Sequence, residues 1–210
     1  MPNQNKVNGF RPHIEGQGRV VVTSHGVLVG NARIITQNDA VSAVVDGNVY
    51  GNAVTRGNVN DGNILCGVAS HFWYLDSNVA RPSARIPASQ AGRCYVFDDP
   101  TQKFIGAGCG ASSRTATVAS QLTDLGGTVL LGDGVVAVSY ATPQGTYGGA
   151  SSQGLDMDSL GTAQQDFQLL ERYDVTNNAF GSSTTDNLNG QYVFRFLEHY
   201  FAQVQRTTGL

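Results

Sequence analysis

Residues 91–104 read Ala91-Gly92-Arg93-Cys94-Tyr95-Val96-Phe97-Asp98-Asp99-Pro100-Thr101-Gln102-Lys103-Phe104, and the fold class is decided there. Cys94 to Phe97 favour a pleated, half-buried backbone. Asp98-Asp99-Pro100 stops them, because proline lacks the N–H for the next ladder bond and pushes its predecessor out of the helical region. An Asp side chain can also bond its own backbone two residues on, so the pair reads first as turn chemistry and only second as an acid/base or metal pair. A further strand is expected at Lys103-Phe104-Ile105, ending in the bend-prone run Gly106-Ala107-Gly108-Cys109-Gly110.

The same alternation of short strand-forming runs and turn residues extends in both directions. Upstream, Val20 to Thr23 and Val27 to Val29 are expected as strands separated by a Ser24-His25-Gly26 turn. Val41 to Val45 and Val49-Tyr50 flank Asp46-Gly47-Asn48, a favoured hairpin corner. Ile64 to Ala69 leads into His71-Phe72-Trp73-Tyr74-Leu75, where the only tryptophan is expected in the core or under a subunit contact. Downstream, Thr128 to Leu131 and Val135 to Tyr140 frame Gly132-Asp133-Gly134 as another hairpin. Gln144 to Gly154 is Gly- and Ser-rich and reads as an exposed loop. Asp166 to Tyr173 is read as a strand. Tyr192, Phe194 and Phe196 share one face of a last strand at period two. The expected fold is mainly β: an antiparallel β-barrel or β-sandwich with long loops and little helix. Residues 1–15 form an extended N-terminal arm and residues 16–210 the β domain.

Composition narrows the function. With 14% charged residues, 26 Gly and only 6 Pro in 210 residues, the surface must be built largely from neutral polar groups and tight turns. A net charge of −3 supplies no basic field for nucleic acid or an anionic membrane, so neither is expected as a direct partner. No apolar run approaches the roughly 18 residues of a membrane-spanning helix, and no charged start leads into a signal-like apolar segment. Cys66, Cys94 and Cys109 are odd in number and have no Cys-x-x-Cys spacing, as expected of reduced thiols made in a cytoplasm.

No phosphate-binding loop is present, and Gly106 to Gly110 lacks the dinucleotide spacing. Ser151 and Ser152 do not sit in a nucleophile elbow. His13, His25, His71 and His199 are scattered, and Glu198 beside His199 would face the other way on a strand. Asp156-Met157-Asp158 could present two carboxylates to calcium, without the Gly and Glu of an EF-hand loop. An enzyme would need a cluster such as His71, Asp98 and Cys109; the preferred expectation is no catalytic residue, no metal and no cofactor.

Several segments together resemble the capsid decoration, cement or minor head proteins of tailed bacteriophages. They are Asn8-Gly9-Phe10-Arg11-Pro12, Gly62 to Val68, Ala91 to Phe104, Gly154-Leu155-Asp156 with Gly161-Thr162, and Phe196-Leu197-Glu198-His199. The chain departs from that pattern at Gly108-Cys109-Gly110 and in the aromatic tail Tyr200-Phe201-Ala202. The resemblance implies a mainly β module, a homotrimer, on the capsid exterior of a virion, clamping the major capsid protein from outside. The interface residues expected are Lys6, Phe10, Arg11, Pro12, Trp73, Tyr200 and Phe201. Deleting Pro2 to Arg11 is then expected to weaken capsid binding and spare the fold. The alternative is a tail or adsorption protein binding host carbohydrate through Trp73 and the loop near Tyr147, which an accessible Trp73 would favour and a buried one would not.

Overall fold

A computed structural model of the chain describes residues 9–14, 20–27, 34–44, 53–57, 64–76, 79–109, 137–141, 151, 153–156, 166–173, 191–197 and 199–200. These residues form strands β1 (Arg11–His13), β2 (Thr23–Val27), β3 (Ile35–Thr36), β4 (Ala40–Val44), β5 (Ala53–Arg56), β6 (Leu65–Asp76) and β7 (Val79–Ser83). After them come β8 (Arg85–Ile86), β9 (Gly92–Phe97), β10 (Lys103–Cys109), β11 (Ala137–Ala141), β12 (Gly154–Asp156), β13 (Phe167–Arg172) and β14 (Gln191–Phe196). The described part of the protein is all strand, as the sequence predicts.

The chain falls into two compact units, where the sequence reading drew a single β domain over 16–210. The first comprises Met1–His13, Lys103–Gly145 and Ser152–Leu197, and the second Ile14–Gln102, Thr146–Ser151 and Glu198–Leu210. In the second unit, β4, β5, β2, β9 and β6 pair in that order, and β6 pairs back onto β4, which closes a five-stranded barrel. In the first, β10, β12, β11, β13 and β14 pair in order, and β14 returns to β10. Closure matters because it removes the open edges on which strands of other chains could add.

The two rings share one connectivity. Counted along the chain within each ring, the first strand pairs in parallel with the third (β2 with β5, β10 with β12). Antiparallel pairs then join third to second, second to fourth, fourth to fifth and fifth to first in both rings. No sequence repeat announces this, because the two interiors are filled with different residues. The second barrel is lined by Val27, Ile35, Val41, Val54, Cys66, Phe72, Ile86, Cys94 and Val96. The first is packed with aromatic rings: Phe167 lies 4.6 Å from Phe194 and 5.2 Å from Phe196, and Phe104 lies 5.3 Å from Phe196. Tyr192, Phe194 and Phe196 are all buried, as their spacing predicts, and Asp166 to Tyr173 supplies the strand β13.

Of the arm expected over 1–15, Gly9 to Ile14 are described, and Gly9 to His13 are built into the first unit. Gly9 donates its N–H to the Gln153 carbonyl, and Arg11–His13 pair with Lys103–Ile105. Phe10 is 0% exposed, edge-on to Phe167 and Phe194 at 5.2 and 5.1 Å. A Cβ on Gly106 would meet the Phe10 ring at 2.8 Å, so the glycine is what lets that ring lie over β10.

Three local expectations are corrected. The Ser24-His25-Gly26 turn is the middle of β2, with His25 and Val27 facing inward. Its polar ring is accommodated because Asp98 accepts a hydrogen bond from it, a partner supplied from far along the chain. The exposed loop over Gln144 to Gly154 is wrong where the structure describes it: Ser151 and Gln153 are 3% and 0% exposed. Of the two settings expected for Trp73, the core is excluded by its 41% exposure, and the subunit contact stays an expectation. Val49-Tyr50, Leu28-Val29 and Thr128 to Leu131 lie outside the described residues; β4 pairs antiparallel with β5.

Candidate functional site

The long strand β6 carries the feature that stands out from the fold. Two register shifts, one opposite β4 between Val41 and Ser42 and one opposite β9 between Ala69 and His71, bend it so that it serves β4, β9 and β7 in turn. Gly67 sits at the first, at φ +150°, where a Cβ would lie 2.3 Å from the Phe97 carbonyl oxygen, so no other residue fits. Beyond the second shift, Phe72 points inward at 0% exposure and its neighbours His71 and Trp73 point out.

Residues directly opposite one another on paired strands share a face. Trp73 is opposite Pro82 on one side and Arg93 on the other, and Arg93 is opposite Gly26. In the next row on the same face, His71 is opposite Tyr95, and Tyr95 opposite Ser24. The His71 and Tyr95 rings are stacked at 4.2 Å and 8°. The His71 Nδ1 is 3.2 Å from the Ser70 hydroxyl, and Arg93 donates to Ser24 Oγ at 3.3 Å. Trp73, His71, Arg93 and Pro82 are exposed and Tyr95 is half-buried. Together they make an aromatic and cationic outer face, with Gly26 opposite Arg93 in its row.

Two polar nodes lie within the same unit, one partly exposed around Asp98 and Asp99 and one buried around Asp39. Asp98, read as half of a turn pair, accepts from Thr23 Oγ1 at 2.9 Å and pairs with His25 Nε2 at 2.9 Å. Asp99 makes the expected turn, accepting from the Thr101 N–H at 2.8 Å and its hydroxyl at 2.7 Å, and these bonds hold its carboxyl below the usual range. His199 is 4% exposed, and burial lowers its pKa, opposed by the charge of Asp98, the Cys66 backbone and Asp99. The other node is Asp39, 0% exposed, which accepts from the Thr36 N–H and hydroxyl at 2.8 Å each and from Ser151 Oγ at 2.6 Å. Arg56 Nε lies 3.1 Å from its Oδ2. Burial raises the Asp39 pKa, and the charge of Arg56 with the three hydrogen bonds pulls the other way. Sequence reasoning passed over Asp39; its signal was Thr36-Gln37-Asn38-Asp39, a turn-prone run with a threonine three residues before an aspartate.

The expected interface residues fall in different settings. Trp73 is on the exposed face. Arg11 is exposed, its guanidinium reaching Gln191 Oε1 at 3.4 Å, and Pro12 is half-buried. Phe10 is core. Tyr200 is half-buried against the second barrel's core, its N–H donating to the Leu65 carbonyl. Lys6 and Phe201 lie outside the described residues, as do Ser152, Tyr147, Asp158 and Glu198. His13 sits edge-on to Tyr173 at 5.7 Å. Of the cluster an enzyme would need, Asp98 is joined to His25 while His71 is stacked on Tyr95, and Cys109 belongs to the first unit. All three cysteines are free thiols at 0% exposure, and burial pushes Cys66 and Cys94 far above the ordinary thiol range, which suppresses the thiolate. Among the described residues, no group of three or more His, Cys, Asp or Glu side chains could hold a metal ion, and no helix could cross a membrane.

Fold and face define a β-barrel protein with two rings of like connectivity, one of which exposes an aromatic platform. No family model, curated protein or solved structure matches the chain.

Proposed function

We propose that this chain is a structural protein of a phage virion, carried on the capsid exterior, and that it works by adhesion rather than by catalysis. The observation that carries the reading is Trp73, a large aromatic side chain 41% exposed beside Arg93 and a stacked His71–Tyr95 pair. An exposed tryptophan grouped with an arginine and a stacked ring pair, rather than standing alone, supports a contact surface. Many copies on a repeating lattice multiply modest contacts, so an outer face suffices where a lone binder would need a deep pocket. Fastening to the major capsid protein as a homotrimer is the first form of this function. Binding of host carbohydrate is the second, and the exposure of Trp73 favours it specifically. Light scattering of the purified protein, then sedimentation with empty capsids of its phage, tests the proposal. A trimer that leaves solution with the shells is expected; a monomer that stays behind in every mixture would refute the capsid form.

A further inference from the structure

The same ring positions can be compared in the two units, and they diverge where a ligand would sit. On the pair formed by the fourth and fifth ring strands, the first unit's outward contact is Gln168 opposite Arg195, with Arg195 Nε donating to Gln168 Oε1 at 2.8 Å. That is a self-satisfied polar pair of the kind a solvated face needs. The second unit has Trp73 opposite Arg93 and His71 opposite Tyr95 at the corresponding pairing. One barrel shows that the connectivity is compatible with an ordinary polar exterior, so the aromatic exterior of the other is not demanded by folding.

We infer that the face formed by His71, Trp73, Tyr95, Arg93 and Ser24 binds an acidic saccharide. This rests on the adhesive reading above and gives its carbohydrate form a site and a ligand chemistry. A pyranose ring has one flat face of C–H groups that packs on an indole, with hydroxyls around its edge that need donors and acceptors. Trp73 supplies the plane and is 41% exposed. Ser24, Ser70 and the exposed His71 supply hydroxyl and imidazole partners. Arg93 is exposed and spends one nitrogen on Ser24 Oγ at a long 3.3 Å, which leaves most of its donor fork for a carboxylate or phosphate on the sugar. The described residues of these two rows include no carboxylate, and the nearby Asp98 is already engaged by Thr23 and His25. The face is therefore complementary to an anion while the chain as a whole carries −3. Single-stranded nucleic acid is the less favoured occupant, because tracking a phosphate backbone takes a run of cations and this face has one arginine.

The test uses the full-length protein on a printed array of acidic and neutral bacterial surface polysaccharides, with oligo(dT) on the same slide. The best acidic member is then titrated against intrinsic fluorescence. Trp73 is the only tryptophan in the chain, so any change reports this face directly. Binding confined to acidic members is expected, with affinity falling at least about tenfold in Trp73→Ala and in Arg93→Gln, the change that ~1.4 kcal/mol produces, and partly kept in Arg93→Lys. Both side chains are exposed, so circular dichroism should show the variants folded. Equal binding to neutral members, preference for oligo(dT), absence of binding to any polysaccharide, or undiminished binding by both variants would overturn the inference. A chain that binds acidic glycans through Trp73 but is absent from virions overturns only the virion reading. A chain that sits on virions and ignores every glycan overturns only this inference.

Discussion

Phe10 and Gly106 offer the sharpest test of the first barrel, because each makes sense only with the other. The Phe10 ring is wholly buried between Phe167 and Phe194, so Phe10→Ala should cost about 3–5 kcal/mol, the usual loss for a buried phenyl with its residual cavity. Gly106→Ala places a methyl 2.8 Å from Phe10 Cδ1 and 3.1 Å from Phe194 Cε1, an overpacking worth roughly 1–3 kcal/mol. In the double variant the tighter clash is gone and the methyl occupies part of the space the phenyl left. The two costs should then fall short of additive by about 1–3 kcal/mol. Tryptophan fluorescence cannot report this, since Trp73 belongs to the second unit and the two units need not unfold together. Amide exchange in β10, β13 and β14 during urea unfolding reads the first unit by itself. Strict additivity, or a Phe10→Ala cost below about 1 kcal/mol, would refute the packing described here. The same reasoning revises the truncation expected from the sequence: a deletion through Arg11 removes a core residue, whereas one ending at Asn8 leaves Phe10 in place.

Asp39→Asn should destabilise the second unit by about 3–5 kcal/mol in denaturant titration, because it removes the buried charge that faces Arg56 and turns a donor toward either the Thr36 donors or the Ser151 hydroxyl. Gly67→Ala should prevent stable closure of the second barrel, seen as loss of exchange protection in β6 and β9, since its Cβ would overlap a backbone oxygen that cannot move aside. His199 has a folded-state pKa below its ordinary 6.5, so as pH falls through 6.5 the unfolded chain takes up the proton first and stability declines until the folded pKa is passed. The carboxylates of Asp98 and Asp99 face it and limit the decline, and His199→Gln should flatten the stability profile below 6.5.

Much of the local structure was legible in the sequence. The strand ending at Phe97 and the Asp99 turn follow from proline geometry and Asx bonding, both of which act within a few residues. Tyr192, Phe194 and Phe196 declared themselves by a period of two. What failed depended on partners distant in the chain. Ser24-His25-Gly26 has turn composition, and only Asp98, brought alongside by the β2–β9 pairing, makes a strand of it. Ser151 looked solvated because its partner Asp39 is 112 residues away. Ring closure and the shared connectivity were hidden for the same reason, since a strand's residues state its pleat and not its neighbours. Composition left Trp73 two settings, the core or a subunit contact, and its 41% exposure removes only the first; the shift between Ala69 and His71, which sets the side of β6 it takes, is not written in its neighbours.

The central claim is that Trp73 is a contact residue, open in the free protein and covered in use. Acrylamide quenching of its fluorescence, measured on the isolated protein and again on the protein bound to phage particles or polysaccharide, tests this most directly. The account predicts strong quenching when free and marked protection when bound. An indole already shielded in the free protein, or equally quenched in both states, would contradict it.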